Sequence, residues 1–259
     1  MCLIVFSFQA SETFPLVVAA NRDEFYQRPA SPLHQWKGGN IIAGRDEEKG
    51  GTWMGVTKEG RFAAVTNIRK REEAFFSRSR GELVTGFLEA EEPANYLTSV
   101  QLGGDRYAGF NFIAGGSEEL SYATNQQKEM TSVSPGIYGV SNAALNTPWP
   151  KVNKAKKRFS EIIEHSSHEL KVNELFDMLS DRENAPKNEL PDTGVGEELE
   201  HSLSPIFINM SGYGTRAQTV FAVRNDGFAL MEERTFGENG EFLFKNRLTW
   251  NTREKTSEE

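Results

Sequence analysis

The chain has 259 residues, of which 37% are hydrophobic, 25% charged and 11% aromatic. This is the composition of a globular protein with a substantial core, not of a disordered, fibrous or membrane-embedded one. Its net charge of −8 argues against an electrostatic footprint on nucleic acid or an anionic membrane.

Residues 2–8 (CLIVFSF) and 15–20 (PLVVAA) are short, apolar and partly β-branched, as buried strands are. The short polar link from Gln9 to Phe14 predicts that they form a hairpin. Segments 41–43, 52–57 and 61–67 continue the strand pattern, punctuated by Gly38, Gly39, Gly50, Gly51 and Gly60. Ser79 and Glu82 have capping-box spacing, and Leu83, Val84, Phe87 and Leu88 then share one helix face. A second helix is expected from Pro93 to Gln101, followed by strands at 107–114, 119–124 and 137–141. Two further helices are marked by Val152, Ala155, Phe159, Ile162 and Ile163, then by Val172, Leu175, Phe176 and Leu179. Pro148 and Pro150 suit the entry to the first of them.

From Asp181 to His201 the chain is acidic and broken by Pro186, Pro191, Gly194 and Gly196, which predicts a mobile excursion. Strands return over 205–248, with a tight turn at Asn225, Asp226 and Gly227. This order lacks the regular βαβα alternation of a parallel sheet, so an α+β fold of antiparallel sheets flanked by helices is expected. One domain should cover 1–250, with a charged tail at 251–259. No stretch reaches the roughly 20 apolar residues that span a bilayer, and the N-terminus lacks the basic start of a secretory signal. A soluble, cytoplasmic protein is expected.

Cys2 is the most informative position. Removal of Met1 would leave a thiol and a free α-amine on one residue, and an α-amine titrates near 7.7–8.0. That pair is the single-residue form of a nucleophile with its base. The bland alternative is a buried strand cysteine. Asn21, Arg22, Asp23 and Glu24 follow directly from the strand 15–20, and hairpin pairing would bring residues 21–23 to Cys2. There an Asp can hold an ammonium and an Arg can tune a thiol; a solvated loop with surface ion pairs is the alternative. Arg45 and Asp46, with Gly50, Gly51, Thr52 and Trp53, form a second polar and glycine-rich group. The run from Gly212 to Arg216 lacks the spacing of a phosphate loop. His165 and His168 are too isolated to predict a metal site, and no cofactor is expected.

MCLIVF, NRDE at 21–24, Arg28-Pro29, GRD at 44–46, GGTW at 50–53 and VTNIR at 65–69 together resemble the NRDE family, that of transport and Golgi organisation protein 2. GVSN at 139–142, LNTPWPK at 145–151 and YGTRAQTVFAV at 213–223 extend the resemblance over most of the chain. The resemblance implies the αββα sandwich of N-terminal-nucleophile hydrolases, in particular the choloylglycine hydrolase and penicillin acylase branch. It implies catalytic roles for Cys2 as nucleophile, Asp23 at the amine, Asn142 or Asn67 at the oxyanion, and Arg216 as a late arginine. The branch's arginine near the nucleophile falls on Ala20, so Arg22 could replace it only from another backbone position, and Asn146 competes with Asn142. Asn21, Glu24, Arg45, Trp53 and Thr215 are the candidate ligand contacts. The implied function is an amidohydrolase or acyl transferase acting on a small acyl amide or thioester. The alternative is a non-catalytic carrier of an acyl thioester, lipid or haem in the same cleft.

Overall fold

The computed structural model describes residues 2–70, 76–166 and 169–253. Strands β1 (Cys2–Phe8) and β2 (Leu16–Phe25) open the chain as a hairpin. Strands β3 (Ala30–Gln35), β4 (Ile41–Asp46), β5 (Met54–Thr57) and β6 (Phe62–Asn67) begin a meander. After helices α1 (Gly81–Glu89) and α2 (Pro93–Leu102), strands β7 (Phe110–Gly115), β8 (Leu120–Thr124) and β9 (Thr131–Ser132) complete it. Strand β10 (Gly136–Val140) returns to β1 and leads into helices α3 (Pro150–Glu164), α4 (Val172–Leu179) and α5 (Glu197–Ser202). Strands β11 (Asn209–Met210), β12 (Tyr213–Val223), β13 (Phe228–Phe236) and β14 (Phe242–Asn251) follow.

Two antiparallel sheets result. One runs β10-β1-β2-β12-β13-β14, with β11 paired to β12, and the other runs from β3 to β9 in chain order. Alternation along each strand then builds the layers. Ile4, Phe6, Val18 and Ala20 point between the sheets and meet Val56, Phe62 and Ile113. Leu3, Val5, Val17 and Ala19 point the other way, onto Phe159, Leu175 and Phe176 of α3 and α4. On the far side, Ala63, Val65 and Phe112 face Leu83, Val84 and Phe87 of α1. The architecture is therefore a four-layer αββα sandwich. Only the Glu half of the capping box forms: Ser79 N donates to Glu82 Oε1 at 2.8 Å, whereas Ser79 Oγ accepts from Gly81 N at 3.3 Å and Glu82 N donates to the Ser79 carbonyl instead.

Three segments differ from expectation. Strand β3 has no apolar alternation, and a register shift separates Ser31 from His34. It is held from the other sheet, where Leu33 N donates to Glu233 Oε1 at 2.7 Å and Asn246 Nδ2 donates to Leu33 O at 2.9 Å. The NRDE residues do not follow β2 but lie inside it, with Asn21, Arg22 and Asp23 buried. The stretch from Asp181 to His201 is tied down, since it contributes α5 and the buried Glu200. Asn251 pairs with Phe228 at the end of β14, and positions 254–259 of the expected tail lie outside the described residues.

Glu233 has a pH consequence. Burial between the sheets pushes its carboxyl from 4.5 up to about 7. A folded-state value above the unfolded one favours the fold at low pH, and that contribution disappears as pH rises through about 7. The shift corresponds to about 3 kcal/mol. Glu233→Gln, which keeps an acceptor for Leu33 N, should stabilise the protein by up to about that amount at pH 8 and hardly at pH 4. Denaturant titrations at both values check this; equal effects at the two would contradict it.

Candidate active site

The hairpin register sets Cys2 directly opposite Arg22. Opposed residues share a face and have Cβ atoms about 5 Å apart, so the thiol and the Arg22 side chain start together at one end of the inter-sheet layer. Asp23 points to the opposite face and pairs with Thr215 on β12. Thr215 Oγ1 donates to Asp23 Oδ1 at 2.7 Å and accepts from Ile208 N at 2.9 Å, while Tyr213 Oη donates to Asp23 O at 3.1 Å. Between Thr215 and Ala217 the register shifts, leaving Arg216 as the extra residue of a bulge.

A second group approaches from the neighbouring strands. Ser141 Oγ donates to Cys2 O at 3.0 Å. Asn142, fully buried just past β10, donates through Nδ2 to Asn67 Oδ1 at 2.9 Å and to Asn67 O at 3.0 Å. Because Asn142 engages the Asn67 oxygen, the Asn67 amide nitrogen is turned away from it, and that nitrogen has no hydrogen-bond partner among the described residues. Asn67 lines a cavity of about 390 Å³ together with Cys2, Arg22, Asp23, Glu24 and Trp53. Trp53 lies against Gly44, where any Cβ would collide with the indole, and the Arg22 Cζ sits 4.2 Å from the Trp53 ring centroid.

The electrostatics of the site are set by burial. Desolvation pushes the Cys2 thiol up, a shift that Asp23 reinforces and Arg22 opposes. It also pushes the Asp23 carboxyl up, against the Thr215 hydrogen bond and the positive charges of Lys151 and Arg69. Lys151 is buried, donates to Leu203 O at 3.0 Å, and is brought down by burial to about 8. Arg69 Nη1 pairs with Glu200 Oε2 at 2.5 Å, both side chains being at least 93% buried, and the Arg69 Cζ lies 5.0 Å from the Trp149 ring. Thr193 donates to Glu200 Oε1 through N at 2.9 Å and through Oγ1 at 2.5 Å.

Lys151, Arg69 and Glu200 escaped the sequence reading as site residues. Lys151 had a signal, because it stands four and eight residues before Ala155 and Phe159 on the buried stripe of α3. Glu200 had none, because its partner lies 131 residues away.

Other sequence candidates lie apart from the cavity. Asn21, on the opposite face from Arg22, donates to Leu179 O at 2.9 Å and Ile206 O at 2.8 Å. Arg45 is exposed and stacks on Trp36 at 4.8 Å. Arg216 Nη1 donates to Phe25 O at 3.2 Å and to Arg28 O. Asn146 holds the turn after β10, accepting from Gly139 N at 3.0 Å. His168 and Met1 lie outside the described residues, and among those described no group of three or more residues has metal-ligand geometry.

Comparison with known proteins places these features in context. A family model described as Transport and Golgi organisation 2 matches residues 1–238. The Transport and Golgi organization protein 2 homolog of Homo sapiens is 35% identical, covering 98% of this chain and 97% of that protein. The Transport and Golgi organization protein 2 of Drosophila melanogaster is 26% identical over 87% of this chain and 89% of its own. Among solved structures, the mutant C2A conjugated bile acid hydrolase from Clostridium perfringens superimposes with a TM-score of 0.53 at 7% identity, covering 96% of this chain and 92% of that one. The fold is that of the N-terminal-nucleophile hydrolases.

Proposed function

Since this chain belongs to the Transport and Golgi organisation 2 family, on an N-terminal-nucleophile hydrolase fold, we propose that it is a cysteine amidohydrolase or acyl transferase acting on a small acyl amide or thioester. The observation that carries this reading is the meeting of its sole cysteine, at the first position of β1, with Arg22, Asp23 and Asn67 on one polar cavity.

In this reading Met1 is removed and the Cys2 α-amine accepts the thiol proton as Sγ attacks the carbonyl carbon. The S–C bond forms, the C–N or C–S bond breaks, and the amine passes the proton to the departing atom. Water then attacks the acyl thioester, or a second nucleophile accepts the acyl group. Asp23, locked by Thr215, orients the amine. Asn67 Nδ2 donates to the developing oxyanion, and Asn142 acts as a positioning residue by fixing the Asn67 oxygen. Arg216 is outside this reading because its guanidinium is engaged by backbone carbonyls.

Loss of one oxyanion donor costs about 10²–10³ in rate. Asn67→Ala should therefore lower turnover of an acyl para-nitroanilide by about that factor while the protein stays folded. A loss of only a few-fold would remove Asn67 from the role. The alternative, a carrier using the same cleft, draws on the word transport in the relatives' names. Ligand binding that is undiminished in Cys2→Ala, with no acylation of the wild-type protein, would favour it.

A further inference from the structure

The charges around the cavity can be sorted by what they already hold. Arg28 Nη2 lies 2.8 Å from Asp46 Oδ2, and Arg78 Nε lies 3.0 Å from Glu82 Oε2, so these four side chains neutralise one another in pairs. Lys49 is 55% exposed at the rim, 3.9 Å from Glu48.

Arg22 differs from all of these. It is 94% buried and stacked on Trp53, and its nearest carboxylate oxygen, Glu24 Oε2, is 3.9 Å away, beyond hydrogen-bond reach. That oxygen is also 3.8 Å from Arg28 Nε. Among the described residues no acceptor lies within hydrogen-bond distance of the Arg22 guanidinium. Its side chain lines the cavity, and a guanidinium stacked by its face presents its in-plane fork for two parallel hydrogen bonds to a planar oxyanion. Cross-strand pairing with Cys2 fixes where such a group would sit, a short chain away from the thiol.

We infer that the substrate carries a carboxylate on its acyl portion, received by the Arg22 fork while the carbonyl lies over Cys2 Sγ. The acyl side is assigned because Arg22 is buried, whereas the cations of the rim are a quarter to a half exposed. The leaving group must depart toward the open rim, and the part held at the buried end stays with the enzyme. The cavity of about 390 Å³, walled by charged and polar side chains, suits a short dicarboxylic acyl group and not a long apolar chain. The carboxylate undergoes no change in the reaction. This inference rests on the nucleophile reading of Cys2.

The test compares glutaryl para-nitroanilide with the neutral pentanoyl para-nitroanilide on the untagged, full-length protein. Acyl-enzyme is followed by intact mass and product by nitroaniline release. The glutaryl compound should react faster by about tenfold or more, the scale of a hydrogen bond to a charged group. Arg22→Gln should bring the ratio of the two rates close to one, and Arg22→Lys, which keeps charge without the fork, should fall between. In parallel, Cys2→Ala should bind free glutarate by calorimetry, and Cys2→Ala with Arg22→Gln should not.

A wild-type ratio near one, or a ratio unchanged in Arg22→Gln, overturns the inference. If neither anilide acylates Cys2 while glutarate still binds through Arg22, the carboxylate site stands and the nucleophile reading falls. If pentanoyl acylates Cys2 as fast as glutaryl and glutarate does not bind, the nucleophile stands and the carboxylate site falls.

Discussion

In Cys2→Ala, turnover of an acyl para-nitroanilide is expected to fall to the uncatalysed background, a loss of about 10⁴-fold or more of the kind seen when a covalent nucleophile is removed. The fold should persist. Cys2 is half-buried at the first position of β1, and its backbone contact, Ser141 Oγ donating to Cys2 O at 3.0 Å, does not involve the side chain. Losing one sulfur there should cost no more than about 1 kcal/mol, well below the penalty of a fully enclosed cavity. Because the chain has one cysteine, any thiol adduct reports on this position alone. Steady-state rates with circular dichroism melts decide the matter. A variant that retains the wild-type rate would remove Cys2 from the chemistry.

Glu200→Ala should produce the largest loss of stability, because it removes the buried carboxylate that Arg69 pairs with. Arg69 is 93% buried against Glu200, which is 97% buried. Removing one partner of a buried pair costs about 3–5 kcal/mol. For a chain of this length that is a fall in melting temperature of the order of 10 °C. The Thr193 hydroxyl and amide lose their acceptor in the same variant. Arg69→Met combined with Glu200→Leu should recover most of the loss, since no unpaired charge then remains. A single variant within about 1 kcal/mol of wild type would contradict the buried-pair account. The pair also lies under the site, with Arg69 and Lys151 both acting electrostatically on Asp23, so Glu200→Ala should alter the pH dependence of turnover as well as the melt.

Much of this arrangement was legible because it is local. The hairpin of β1 and β2 followed from two apolar runs and a short polar link, and its register alone brings Cys2 to Arg22. The stripe of α1 was equally readable, as were α3 and α4 from their apolar spacing. What stayed hidden depends on partners distant in sequence. Strand β3 is polar because its Leu33 backbone is held from the opposite sheet by Glu233 and Asn246. NRDE looks like a loop by composition, yet it is strand, since Thr215 engages the Asp23 carboxylate and the Leu179 and Ile206 carbonyls engage the Asn21 amide nitrogen. The acidic stretch before His201 looks mobile until Glu200 is seen to meet Arg69. Asn67 and Asn142 were both candidates, and only their mutual hydrogen bond distinguishes a cavity-facing amide from the one that fixes it.

The most direct test of the account is the intact mass of protein expressed without an N-terminal tag, before and after exposure to an aryl acyl ester. The account predicts a mass short by one methionine and then a single acyl addition, absent from Cys2→Ala. A chain that keeps Met1, or a Met1-free chain that takes up no acyl group at Cys2, would contradict it.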